Sequence, residues 1–148
     1  MKFVIQRVTH ASVTIDDALF SEIGKGFLVL IGVTEEDTRE IADKMVKKMT
    51  GLRIFEDENG KTNLSLDKVS GSLLLVSQFT LCADCKKGYR PSFIKAGNPE
   101  KARDMYAYII EECRKKVPNV QTGVFGADMQ VDLCNDGPFT IVLDSKDI

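Results

Sequence analysis

One histidine, four cysteines and scattered hydroxyls are what this 148-residue chain has for building a nucleophile. A serine or threonine attack needs a base beside it. His10, the lone imidazole, falls in an expected strand-to-strand turn, where such a residue is ordinarily structural. No serine or cysteine stands in a Gly-x-Ser-x-Gly elbow. The carboxylates populate helix faces and turns without motif-like pairing. Side-chain acid–base catalysis therefore has almost nothing to work with. Main-chain N–H groups remain: a preorganised donor aimed at a developing oxyanion contributes about 2.7–4 kcal/mol. Residues leaving a central strand at Gln78-Phe79-Thr80 could offer such donors. Thr80 itself reads either as a positioning group or as a strand-end hydroxyl capping nearby backbone.

Cys82 and Cys85 have the Cys-x-x-Cys spacing that invites zinc or dithiol readings. Zinc would need two more ligands, and neither a second such pair nor paired histidines is present. A thioredoxin-type pair would sit between a strand and a helix, whereas this one precedes a loop containing Lys, Gly and Pro. Free thiols in a reducing compartment are the expectation, together with Cys113 and Cys134. No metal and no cofactor is expected.

The elements that must position any site can be read from periodicity and breakers. Lys2–Val8 and Ala11–Ile15 read as two strands joined at Thr9-His10, followed by strands over Phe20–Ile23 and Gly26–Val33. Thr34 with Asp37 resembles a helix start. Ile41, Met45, Val46 and Met49 share one face of a helix from about Asp37 to Met49, which Gly51 stops. Arg53–Phe55 is a short strand before the Asn59-Gly60 turn, and Ser72–Phe79 is a buried central strand. The stretch from Cys82 to Gly97 lacks periodicity, and a long irregular segment in a compact domain is usually functional or disordered. Asn98 then caps a helix with Pro99 in its first turn. Ala102, Met105, Tyr106, Ile109, Ile110 and Cys113 form its apolar face, and Pro118 ends it. Met129, Val131 and Leu133 alternate with polar residues, and Phe139–Leu143 is the last strand. Between these two runs, Asn135-Asp136-Gly137-Pro138 predicts a turn: Gly137 tolerates φ > 0, while Pro138 fixes its own φ and lacks an N–H. Strands with two interspersed helices indicate an α+β domain, its sheet curled toward a barrel.

Length and composition fit one domain over residues 1–148 with enough chain for a core. No apolar run approaches the roughly 18 residues of a membrane span, and the start reads as a strand without a signal-peptide layout. A cytoplasmic protein is expected. Twenty basic against 22 acidic residues give a net charge of −2, which excludes a generic polyanion binder. Nucleic acid would have to meet a local patch. Lys86, Lys87, Arg90 and Lys95 supply one; Arg114, Lys115 and Lys116 suit a helix dipole better.

Ser77-Gln78-Phe79-Thr80-Leu81 and Asn135-Asp136-Gly137-Pro138-Phe139-Thr140 together resemble the paired signatures of the D-aminoacyl-tRNA deacylase family. Gln6-Arg7-Val8, Gly88-Tyr89-Arg90-Pro91-Ser92-Phe93 and the stretch from Gln121 to Met129 match in the same order, so the resemblance runs from end to end. Phe139 departs from a smaller β-branched residue common in that signature, which leaves Gly137 and Pro138 intact.

The resemblance implies a homodimeric hydrolase with a barrel-like fold that cleaves D-aminoacyl-tRNA and glycyl-tRNA mischarged on tRNA(Ala). An aminoacyl ester is already labile, so positioning and oxyanion stabilisation can accelerate its hydrolysis usefully. Ser77, Gln78, Phe79 and Thr80 would form the catalytic segment, assisted by the 2′-hydroxyl of the terminal ribose. Gly137 and Pro138, joined by a cis peptide and supplied by the partner subunit, would exclude L side chains while Arg7 supports them. Phe125, Gly126, Ala127 and Met129 would seat the terminal adenosine, although Phe125 also reads as core. The other readings are a non-catalytic nucleic-acid-binding module on the same fold and a thiol enzyme using Cys82 or Cys85.

Overall fold

The computed structural model describes residues 1–148. In chain order its elements are β1 (Lys2–Ile15), β2 (Ala18–Ile23), β3 (Gly26–Gly32), α1 (Arg39–Thr50), β4 (Phe55–Glu56) and β5 (Thr62–Leu64). After these come β6 (Ser72–Ser77), a 3-10 turn over Phe79–Cys82, α2 (Pro99–Arg114), β7 (Val120–Thr122) and β8 (Gln130–Asp144). Six strands make the main sheet in the order β2-β1-β3-β6-β7, with β8 along the other side of β1. Strands β3, β6 and β7 are parallel to one another, and every pairing of β1 is antiparallel. Ser21 on β2 donates its hydroxyl to Thr122 O on β7 at 2.7 Å. The two ends of the strand order thus approach each other, and the sheet curls into a nearly closed barrel. This is the α+β architecture expected from the sequence.

Alternation along the central strands sends side chains to two cores, because successive residues of a strand point to opposite faces. Phe27, Val29, Ile31, Leu73 and Leu75 join Phe3 and Ile5 under the helices. Leu28, Leu74 and Val76 meet Val8, Ala11, Val13 and Ile23 inside the curl. Helix α1 buries Ala42, Met45, Val46 and Met49, and α2 buries Ala102, Met105, Tyr106, Ile109 and Cys113. Asn98 accepts from Glu100 N–H at 2.9 Å, the cap its position ahead of Pro99 predicts. No helix is long and apolar enough to cross a membrane.

Four expectations are corrected. β1 does not break at Thr9-His10. It continues, pairing first with β3 and then with β2, and the step from Val8 to His10 spans only Asn135 to Cys134 on β8. Thr9 is therefore an extra residue that bends the strand, and His10 is an exposed strand residue. The first helix begins after Thr38, not at Asp37. Asp37 closes a preceding turn onto Thr34 N–H at 2.7 Å and, buried, pairs with the Met1 ammonium at 2.6 Å. The central strand ends at Ser77 because the chain tightens into the 3-10 turn. Finally, Gly137-Pro138 is not a turn between two strands: β8 runs through it as a wide bulge.

Candidate active site

β6 and β7 are adjacent and parallel, with Leu75 opposite Thr122. The segments that leave their carboxyl ends therefore emerge side by side, at the edge of a sheet where ligands commonly bind. From β6 comes Ser77-Gln78-Phe79-Thr80; from β7 comes the loop carrying Phe125 to Met129. The structure brings these two sequence-selected groups to one end of the sheet.

Gln78 N–H donates to Ile31 O at 2.7 Å, which carries the ladder one residue past Ser77. The chain then turns, and the opening N–H groups of such a turn, those of Phe79 and Thr80, have no acceptor within it. Ser77 and Gln78 are half-buried, whereas Phe79 and Thr80 are exposed. The Gln78 amide donates to the Thr80 hydroxyl. His10 lies on the far half of β1, bonded to Thr9 Oγ1 at 3.2 Å, so no imidazole serves Thr80. Beneath the segment, Tyr106 donates to Leu75 O at 2.8 Å. Burial pushes its phenol up to about 12, so it stays a neutral donor. Cys82 is buried against Val33 O at 3.5 Å and burial raises its thiol pKa, while Cys85 is exposed. All four cysteines are free thiols.

In the β7–β8 connection, Phe125 is half-buried, 6.2 Å from Tyr106 by ring centroids, with the Arg103 guanidinium 5.3 Å from its own centroid. Part of this aromatic surface is thus already occupied, as its reading as core anticipates. Met129 lays its sulfur 3.4 Å from Val124 N and across Gly123, where a Cβ would meet Sδ at 2.6 Å. Gly123 is what allows that approach. Gly126 is exposed with open space around it, and Ala127 N–H closes the turn onto Val124 O at 3.2 Å.

The Gly137 bulge is held by side chains bonded to main-chain groups. Gln6 pairs with Thr140 and Val8 with Asn135, so four residues, Asp136 to Phe139, stand opposite Arg7 alone. The Gly137–Pro138 peptide is cis and Gly137 has φ +138°. Arg7 is buried and ion-pairs with the partly exposed Asp136 carboxylate, Nε to Oδ2 at 3.5 Å. Its Nε donates to Asp136 O at 2.9 Å, its Nη1 to Ile54 O at 2.6 Å, and its guanidinium lies 4.8 Å from the Phe139 ring centroid. Asn135, which the sequence placed in the expected turn and signature without a role of its own, holds the bulge from the other side. Its amide donates to Arg7 O at 3.2 Å and Phe139 O at 3.0 Å, and its oxygen accepts from Phe139 N–H at 2.8 Å. The signal available was its place two residues before the Gly-Pro step, where a short amide side chain can stand in for a ladder partner.

One chain does not bring this bulge to Thr80. Arg7 pairs with Phe27 and Phe27 with Leu73, four residues before Ser77. At ~3.3 Å per residue and ~4.8 Å per strand spacing, the bulge lies about 20 Å from Ser77 along the sheet.

Residues 4–144 match the family model described as D-Tyr-tRNA(Tyr) deacylase. A protein of Clostridium acetobutylicum named D-aminoacyl-tRNA deacylase is 52% identical over 148 residues, covering 100% of this chain and 99% of that one. Among solved structures, the c-Myc DNA Unwinding Element Binding Protein superposes with a TM-score of 0.92 at 44% identity, over 97% of this chain and 98% of its own. A probable eukaryotic D-amino acid tRNA deacylase shares the fold, with a TM-score of 0.83 at 17% identity over 96% and 97% of the two chains. With nearly its whole length matched, this chain belongs to the D-Tyr-tRNA(Tyr) deacylase family.

Proposed function

We propose that this protein hydrolyses the ester joining a D-amino acid, or glycine mischarged on tRNA(Ala), to the 3′ end of tRNA. The observation that carries the reading is family membership over residues 4–144, with 52% end-to-end identity to a relative named D-aminoacyl-tRNA deacylase. On this reading the protein works in the cytoplasm, as one domain over residues 1–148.

Water attacks the ester carbonyl carbon, and negative charge collects on the carbonyl oxygen. The bond to the ribose oxygen then breaks, that oxygen takes a proton, and the amino acid leaves as a carboxylate. The N–H groups opening the Phe79–Cys82 turn are the oxyanion donors, held by Ser77 and Gln78 at the strand end. Thr80, engaged by the Gln78 amide, positions the substrate and is not the nucleophile, since no base stands beside it. The ribose 2′-hydroxyl assists the attack. Gly126, Ala127 and Met129 seat the terminal adenine, with the free part of Phe125 against it.

Chirality is read by Gly137 and Pro138 of a second copy, whose rigid main chain receives the α-amino group and leaves no room for an L side chain. Two observations favour a homodimer. The bulge lies about 20 Å from the catalytic segment of its own chain by strand geometry. β8 also has no ladder on its outer edge, and Pro138, Thr140 and Val142 are exposed there. Glycine offers no side chain to exclude, hence its inclusion as substrate.

A second reading is a non-catalytic nucleic-acid-binding module, favoured by the solved relative named for binding a DNA unwinding element. Incubating the purified protein with D-tyrosyl-tRNA and L-tyrosyl-tRNA separates the two. Selective release of D-tyrosine is expected; tight tRNA or DNA binding without ester cleavage would favour the module.

A further inference from the structure

Between the 3-10 turn and α2 the chain makes an excursion that the reaction above leaves unused. Residues 84–95 form a loop closed at its base by Asp84 N–H to Ser92 O at 2.8 Å and Ser92 N–H to Asp84 O at 2.9 Å. Asp84 also accepts from Lys86 N–H at 3.0 Å and pairs with Lys95 Nζ at 3.2 Å. Next to that base, Phe93 packs edge-on against Phe79 of the catalytic segment, with centroids 5.0 Å apart. The loop is thus a braced projection fastened directly to the proposed ester site.

Its one acid and one of its cations hold each other. Lys86, Lys87 and Arg90 are exposed and take part in no ion pair. Tyr89, between them, is fully exposed. The contrast with the other cationic cluster is direct: Arg114 and Lys115 pair with Glu111 and Glu112 on their own helix. Residues 84–95 carry four cations and one acid, a local charge of +3, so the remaining 16 cations and 21 acids leave −5 on the rest of the chain. A polyanion is repelled by most of this protein and drawn to this loop. The loop's inner flank borders a cavity of about 910 Å³ whose wall carries both signs, Glu35, Glu36 and Asp144 beside Lys2 and Lys146. Lys87, Tyr89 and Arg90 do not line that cavity and are exposed at the tip of the loop.

We propose that residues 86–90 dock the sugar-phosphate backbone of the acceptor arm of the tRNA whose ester is cleaved. Lys86, Lys87 and Arg90 each neutralise a phosphate, and Tyr89 lies against the ribose. Contacts of this kind fix orientation without reading sequence, so they serve any acceptor arm. The inference rests on the functional reading above and names the partner of that same site.

Three phosphate contacts on a duplex give a salt slope of about −2.7, an affinity loss of roughly 40-fold between 50 and 200 mM salt. The test compares the wild-type protein with the triple variant Lys86→Ala, Lys87→Ala, Arg90→Ala. Substrates are D-tyrosyl-tRNA and D-tyrosyl-adenosine, the latter lacking phosphates, and filter retention measures binding of uncharged tRNA across the salt range. The expected result is a KM for D-tyrosyl-tRNA raised tenfold or more with kcat kept, a flattened salt slope, and unchanged hydrolysis of the adenosine ester. Equal KM and equal slope in the two proteins would overturn the docking role. So would equal losses on both substrates, which would place the loop's effect at the ester. If the wild type cleaves neither substrate, the enzymatic reading fails, and the retained or lost slope in filter binding still decides the loop.

Discussion

Gly137→Ala is the substitution for which the structure yields the most definite numbers. At φ +138° an L residue is strained, a cost of about 1–3 kcal/mol. An added Cβ would stand 3.1 Å from Arg7 Nη2, 3.1 Å from Phe139 N and 3.2 Å from Phe139 Cβ, so its neighbours must yield a few tenths of an ångström. Arg7 has little freedom to do so: Ile54 O holds Nη1 at 2.6 Å and Asp136 O holds Nε at 2.9 Å. The bulge must therefore absorb the strain by changing shape. If the Gly137–Pro138 corner sorts handedness, the reshaped bulge no longer excludes L side chains and the D-to-L ratio falls, by about 10-fold for each ~1.4 kcal/mol of lost exclusion. The assay is kcat/KM on D-tyrosyl-tRNA and L-tyrosyl-tRNA, with a thermal melt alongside to confirm that the variant is folded. A variant destabilised as expected but with an unaltered D-to-L ratio would refute the chiral role. An unaltered melting temperature would refute the strain argument itself.

Replacing Asn135 with Ala removes three hydrogen bonds at about 0.5–1.5 kcal/mol each. A stability loss of about 2–3 kcal/mol is expected in denaturant titration, and Asn135→Asp should lose more because its carboxylate faces the Arg7 and Phe139 carbonyls. Thr80→Ala should keep activity within about tenfold, the equivalent of one hydrogen bond; complete loss in a folded variant would restore threonine as nucleophile. Tyr106 predicts an alkaline limb in stability. Its pKa rises from 10.0 to about 12 on folding through burial, so the folded state holds the proton more tightly. The contribution is complete below pH 10 and is lost as pH rises toward 12, amounting to about 2–3 kcal/mol. Tyr106→Phe should weaken that limb in urea titrations at pH 9 and pH 11; an unchanged pH dependence would remove the assignment.

Local signals were sufficient for α2, whose cap, first-turn proline and apolar spacing all lie within its own residues, and for the apolar central strands. They failed where one element's shape depends on a distant one. Asn135, two residues before the Gly-Pro step, is the one local hint that a side chain will replace ladder bonds; that β8 stays continuous along β1 depends on distant pairing, so the dipeptide reads as a chain reversal. Thr9-His10 reads as a turn for the same reason: the pairing that carries β1 from β3 to β2 is long-range. Asp37 looks like a helix residue until the Met1 ammonium is placed on it. The short strand β7 has only three residues and no periodicity to detect. In the candidate site, the residue types around Thr80 and Gly137 were legible. Their distances were not, since strand order determines that Phe125 emerges beside Thr80 while Gly137 does not.

The sharpest examination of a stereochemical filter made from backbone is a crystal structure with a non-hydrolysable D-aminoacyl-adenosine. The account predicts the ligand's α-amino group within about 2.7–3.2 Å of a main-chain oxygen at Gly137 or Pro138 of the second copy, with its carbonyl oxygen toward the Phe79 and Thr80 N–H groups. A ligand bound at the Phe79 turn with no Gly137–Pro138 corner from either copy beside its α-carbon would contradict it.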